Sequence, residues 1–200
     1  SEISSEDNLA TIVNSKDFIV LAISNQATVT NNNQDGICIY NKENGLLDFN
    51  NTKDKFIIRA EGNLAKYGIY NKSSELNKIK ACVSTPDNSF EIGVYNDGVI
   101  DYLNAIIQGC TKHGVLNKGD INQIVDSQIL NNGSNDNGGG IFADENSNTL
   151  FTVNNVIQDN KEGIRVKEGA IVRLSNNQIE SSKAESTTTN SLINNAPYNI

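Results

Sequence analysis

One phrase returns six times along this chain of 200 residues: a glycine, an aliphatic residue, a variable residue, then a turn. It reads Gly36-Ile37-Cys38-Ile39, Gly68-Ile69-Tyr70-Asn71, Gly93-Val94-Tyr95-Asn96, Gly114-Val115-Leu116-Asn117, Gly140-Ile141-Phe142-Ala143 and Gly163-Ile164-Arg165-Val166. The glycines are 32, 25, 21, 26 and 23 residues apart. A second phrase lies between them: Asn77-Lys78-Ile79, Asn104-Ala105-Ile106, Asn155-Val156-Ile157 and Asn177-Gln178-Ile179, with Ser127-Gln128-Ile129 in the remaining unit. A third apolar segment completes the unit, as in Val99–Leu103, Leu150–Val153 and Ala170–Leu174. Such a unit holds three short strands and cannot bury its apolar side alone. Stacking units buries it, which is the logic of a solenoid. Uneven steps belong to turns that bulge outward, where insertion is tolerated.

Composition agrees. Ile and Val number 36 against 12 Leu, and Asn alone makes 33 residues. Beta-branched side chains suit a pleated surface, and Asn favours turns and left-handed backbone over helix. The net charge of −8, with no Lys/Arg cluster, argues against nucleic acid and anionic lipid as partners. No apolar run reaches the length of a membrane helix, so no membrane insertion is expected. The sequence opens without Met or a basic and apolar leader, so any targeting peptide is expected to lie outside it.

The last unit, Glu162-Gly163-Ile164-Arg165-Val166-Lys167-Glu168-Gly169-Ala170 through Asn177-Gln178-Ile179, resembles the repeat of right-handed parallel β-helix proteins of the pectin-lyase-like superfamily. The resemblance covers roughly residues 30–182. It implies an all-β fold: one right-handed parallel β-helix of about seven coils with three short strands each. Residues 1–30 would form a cap or first coil, 31–182 the regular coils, and 183–200 a partial last coil or tail. The superfamily includes polysaccharide lyases, glycosidases, epimerases, phage tailspikes and surface adhesins, so the fold alone does not select a function.

Stacking turns sequence offsets into columns about 4.8 Å apart. Ile37, Ile69, Val94, Val115, Ile141 and Ile164, one place after each glycine, form an inward column. Cys38, Tyr70, Tyr95, Leu116, Phe142 and Arg165 follow and are expected to face outward, either as cross-strand aromatic pairs or as a contact stripe. Next come Ile39, Asn71, Asn96, Asn117, Ala143 and Val166, where three consecutive asparagines form a buried amide ladder. Then Tyr40, Lys72, Asp97, Lys118, Asp144 and Lys167 alternate in sign over the last five, which favours this register over a one-coil slip.

Catalytic chemistry is weakly signalled, and no catalytic residue is assigned. His113, the only histidine, stands in Lys112-His113-Gly114, which resembles the tail of the Gly-His-Gly phrase of polygalacturonase-like β-helices. The Asn-Thr-Asp, Gly-Asp-Asp and Arg-Ile-Lys parts of that pattern are missing, so His113 is expected in a turn, and no pair of carboxyls flanks a bond. Pectate lyases resemble this fold too. They need calcium-holding carboxylates and a basic residue, for which only Arg59, Arg165 and Arg173 offer a guanidinium. The stretch Asn131–Gly140 is similar to a calcium loop, but Asp136 and Asp144 supply too few oxygens, so a loop is expected and no metal or cofactor. Its Gly138-Gly139-Gly140-Ile141, followed by Phe151-Thr152-Val153-Asn154, resembles the paired phrases of chlamydial polymorphic outer-membrane passengers. Those families repeat the phrases many times, and here each occurs once. Cys38, Cys82 and Cys110 lack zinc spacing and are odd in number, so three free thiols are expected. Cys110 falls where Asn160 stands in a later unit.

These readings lead to an exported or surface β-helix scaffold that binds glycan or protein, adhesin-like, through Tyr70, Tyr95, Leu116, Phe142 and Arg165. A carbohydrate-active enzyme near Arg165 and Arg173 is one alternative. A structural shaft that self-associates through the aromatic stripe is the other.

Overall fold

The computed structural model describes residues 2–5, 10–19, 28–49, 55–60, 65–84, 90–134, 138–181, 185–187 and 192–194. These contain strands and turns only, and every strand pairing is parallel. Each coil visits three faces in turn. Face 1 stacks eight strands: Ala10–Asn14, Ile37–Asn41, Ala65–Asn71, Phe90–Asn96, His113–Asn117, Gly139–Ala143, Ile164–Val166 and Glu185–Thr187. Face 2 runs from Asp17–Ile19 and Leu46–Asp48 to Asp120–Val125, Asn148–Val153, Ile171–Ser175 and Leu192–Asn194. Face 3 begins at Glu2–Ser5, Thr28–Asn31 and Phe56–Arg59 and ends at Gln128–Leu130, Val156–Asn160 and Gln178–Ser181. Two long strands, Asn77–Ser84 and Val99–Gln108, belong to both, so faces 2 and 3 merge in the middle of the molecule. The solenoid has about six turns, close to the seven expected.

The core is a rod of stacked aliphatics. Ile39, Ile69, Val94, Val115, Ile141 and Ile164 form one inner column on face 1, each at most 1% exposed. Ile100, Ile121, Val172 and Ile107, Ile129, Ile157, Ile179 continue it on the other faces.

The glycine of the phrase is a matter of room. A Cβ on Gly93 would lie 2.5 Å from Ile107 Cγ2 and 2.8 Å from the Gly114 carbonyl oxygen, closer than real Cβ contacts allow. The first unit is an exception. The register pairs Ile39 with Ile69, Tyr40 with Tyr70 and Asn41 with Asn71. The unit read from Gly36 is therefore displaced by two residues. Cys38, not Gly36, stands level with Gly68, and Tyr40 joins the outward column that Cys38 was expected to hold. Gly36 serves a different turn, where its N–H donates to the Asn33 carbonyl.

With that correction the amide ladder is longer than three. Asn14 Nδ2 donates to Asn41 Oδ1 at 2.7 Å, Asn41 to Asn71 at 2.7 Å, Asn71 to Asn96 at 2.8 Å and Asn96 to Asn117 at 2.8 Å. It ends where Asn117 donates to the Asn148 carbonyl and Thr149 Oγ1, since Ala143 and Val166 offer no amide. The second phrase needs the same care. Asn77 lies at the face 1 to face 2 corner and accepts from Asn41 Nδ2. Ala105, not Asn104, stands level with Ser127, because the Ala105 N–H donates to Ser127 Oγ. Ser127, Asn155 and Asn177 are the polar members of that column, each preceded by a left-handed residue: Asp126, Asn154 and Asn176. Cys110, Asn132 and Asn160 form a third buried column after left-handed Gly109, Asn131 and Asp159, as the spacing of Cys110 foretold.

Candidate functional site: an aromatic platform on face 1

The outward side of face 1 carries the aromatic column in register: Tyr40, Tyr70, Tyr95, Leu116, Phe142, Arg165. A fourth tyrosine joins it. Tyr67 stands three residues before Tyr70, and strict alternation would put them on opposite sides. The tight inward approach at Gly68 breaks the alternation, and both rings point out. Tyr40 stacks on Tyr70 at 5.2 Å between ring centroids, Tyr67 meets Tyr70 at 5.2 Å and Tyr95 at 5.0 Å, and Tyr70 meets Tyr95 edge-on at 4.8 Å. All four rings are half-buried. The result is one continuous sheet of phenol rings spanning three coils.

Lysines edge this surface. The ammonium groups of Lys66, Lys72 and Lys118 lie 5.5, 5.9 and 5.9 Å from the centroids of Tyr67, Tyr70 and Tyr95. Burial, then the neighbouring Tyr95 phenol and Asp97, pushes Tyr70 up to about 12, and burial with Tyr95 also raises Tyr67. Tyr67 and Tyr70 are therefore neutral donors at physiological pH. Beside Tyr40 a shallow cleft is lined by Ser15, Lys42, Glu43 and Asn44.

Toward the C-terminal coils the surface changes. Phe142 is only 7% exposed. His113 stacks on its ring at 4.8 Å, and Arg165 and Lys167 lie 5.7 and 5.3 Å from its centroid. Arg165 is held by Glu162. His113 is thus not a turn residue: it opens the strand His113–Asn117 and is mostly buried. Burial, then the Arg165 charge, drives its pKa down to about 4. The charged column runs Lys42, Lys72, Asp97, Lys118, Asp144, Lys167, alternating in sign from Lys72 on, with Lys42 in the place expected for Tyr40. Asp144 sits between Lys118 at 3.5 Å and Lys167 at 2.9 Å. Partial burial works against its charge, yet the Lys167 hydrogen bond and the backbone N–H of Glu145 outweigh it and hold its pKa low.

Other sequence candidates are dispersed. Arg165 and Arg173 occupy consecutive strands of one coil but different sheets, faces 1 and 2, so they do not line one cleft. Among the described residues no group of three His, Cys, Asp or Glu side chains is placed to hold a metal; Asp136 lies outside them. Cys38, Cys82 and Cys110 are free thiols, and burial pushes Cys38 and Cys110 up to about 12. Among the described residues no helix is long and apolar enough to cross a membrane.

A parallel β-solenoid with one aromatic face is thus the class that fold and site define. The family comparison agrees: the model described as right handed beta helix region matches residues 17–179, and the chain belongs to that family. No curated protein and no solved structure matches the chain.

Proposed function

We propose that this protein is a non-enzymatic binding scaffold, exported or displayed at a surface, whose face 1 holds glycan on its tyrosine platform. The observation that carries this reading is the unbroken contact of Tyr40, Tyr67, Tyr70 and Tyr95, half-exposed on a rigid sheet. Apolar C–H faces of sugars stack on such rings, and the phenol and ammonium groups at the margins donate hydrogen bonds to ring hydroxyls. The strands fix the rings before binding, so little ordering cost remains. Phe142 and Arg165 close the far end of this surface instead of taking part in stacking.

A glycan array identifies the ligand class, and tyrosine emission measures its affinity. The chain has no Trp and six Tyr, four of them in the platform, so its fluorescence reports the site directly. Replacing Tyr70 with Ala is expected to weaken binding about tenfold, the worth of roughly 1.4 kcal/mol of stacking. Glycan turnover, or a Tyr70→Ala protein that binds as the parent does, would reject the reading. Concentration-dependent dimers abolished by Tyr95→Ser with Phe142→Ser would favour the self-associating shaft instead.

A further inference from the structure

We propose that the face 1 tyrosines are a site of oxidative cross-linking, at which a one-electron oxidant joins two coils through a dityrosine bond centred on Tyr70. Two independent observations carry it. The first is geometric. Tyr70 touches three other phenols, with centroid distances of 5.2 Å to Tyr40, 5.2 Å to Tyr67 and 4.8 Å to Tyr95. Tyr40 and Tyr70 are also nearly parallel, 27° apart. The sheet register holds these rings together, so a radical formed on one has a partner already in contact. The second is compositional. The chain contains neither Trp nor Met, and Cys38 and Cys110 are fully buried. With the partly buried Cys82 thiol the one accessible competitor among the cysteines, oxidising equivalents have few other sinks, and the half-exposed phenols are within reach.

The chemistry balances with a peroxidase and hydrogen peroxide. Each of two phenols gives up its hydroxyl hydrogen atom, and the two hydrogen atoms reduce one peroxide to two waters. The phenoxyl radicals couple through ring carbons ortho to oxygen, forming one C–C bond. The hydrogen on each coupled carbon then returns to its oxygen. The product has lost two hydrogens and ties together coils that meet at Tyr40 and Tyr70 or at Tyr70 and Tyr95. Like a disulfide, such a link restricts the unfolded chain, so the oxidised protein is expected to melt at a higher temperature.

The test treats dilute protein, with Cys82 alkylated beforehand, with peroxidase and hydrogen peroxide. Dityrosine emission is read and the linked peptides are mapped by mass. The expected product is a monomer two hydrogens lighter, linked at Tyr70, with a raised unfolding temperature. Tyr70→Phe keeps a ring in the stack and is expected to lose more than half of the dityrosine, while Tyr102→Phe loses none. Links formed mainly between chains, links at Tyr102, or an equal intrachain yield in denaturant would overturn the proposal.

Discussion

The N-terminal and C-terminal coils solve the same problem at different corners. In the first coils a buried amide ladder, Asn14 to Asn117, braces the corner between faces 1 and 2, and the strands Asn77–Ser84 and Val99–Gln108 pass unbroken through the corner between faces 2 and 3. In the later coils the first ladder is gone. Left-handed residues break the chain at the other two corners, and new ladders start there: Ser127–Asn155–Asn177 and Cys110–Asn132–Asn160. Sharp corners leave backbone N–H groups pointing inward, and a stacked amide satisfies them from the coil above. The amide columns of this solenoid therefore change corner partway along, while the face 1 to face 2 turn of the later coils passes through left-handed Asn146 and Gly169 without one.

Cutting each ladder tests the comparison most severely. Asn96 Nδ2 donates to Asn117 Oδ1 and to the carbonyls of Gly98 and Asp120, and its Oδ1 accepts from Asn71 and the Gly98 N–H. Asn96→Ala strands several of these groups in the core and is expected to cost about 4 kcal/mol in denaturant unfolding. Asn155 makes fewer bonds, to Asn177, the Ile124 carbonyl and the Ser127 N–H. Asn155→Ala is expected to cost about 3 kcal/mol. Equal or reversed costs would show that the number of bonds a rung makes does not set what its loss costs.

Acidification probes the boundary between the two regions. His113 is held neutral by burial, so the unfolded chain binds the extra proton between pH 6.5 and about 4. Keeping the ring neutral costs the fold nothing above pH 6.5, and stability falls as pH drops toward 4, by about 3 kcal/mol. Comparing the pH dependence of unfolding in the parent and in His113→Gln isolates this share; parallel curves would refute it. The smallest effect belongs to the charge column. Asp144→Asn removes the bridge between Lys118 and Lys167, both well exposed, and is expected to cost under about 1 kcal/mol, less still in high salt.

Much of this was legible in the amino acids. The inward column and the Asn71–Asn96–Asn117 ladder follow from counting, because burial permits few residue types at those positions. The failures have physical causes. Gly36 looks like the repeat glycine, but a turn uses it, while Cys38 is small enough to stand in the tight place; aligning on Asn41 would have found the register and Tyr40 with it. Strict alternation hides Tyr67, because it does not hold through the close approach at Gly68. The glycine after His113 suggests a turn, and only the ring of Phe142 one coil away explains the burial of His113.

The ladders also have a direction. In all three, a side-chain amide gives an N–H to the side-chain oxygen of the asparagine one coil on, from Asn14 through Asn117, from Asn132 to Asn160 and from Asn155 to Asn177, while the amides of the two later ladders also donate back to a backbone carbonyl of the preceding coil. Coils can thus be duplicated or deleted as building blocks, but never turned end for end. A grafted module must arrive offering acceptors to its predecessor, so growth of this architecture by gene duplication has only one permitted orientation.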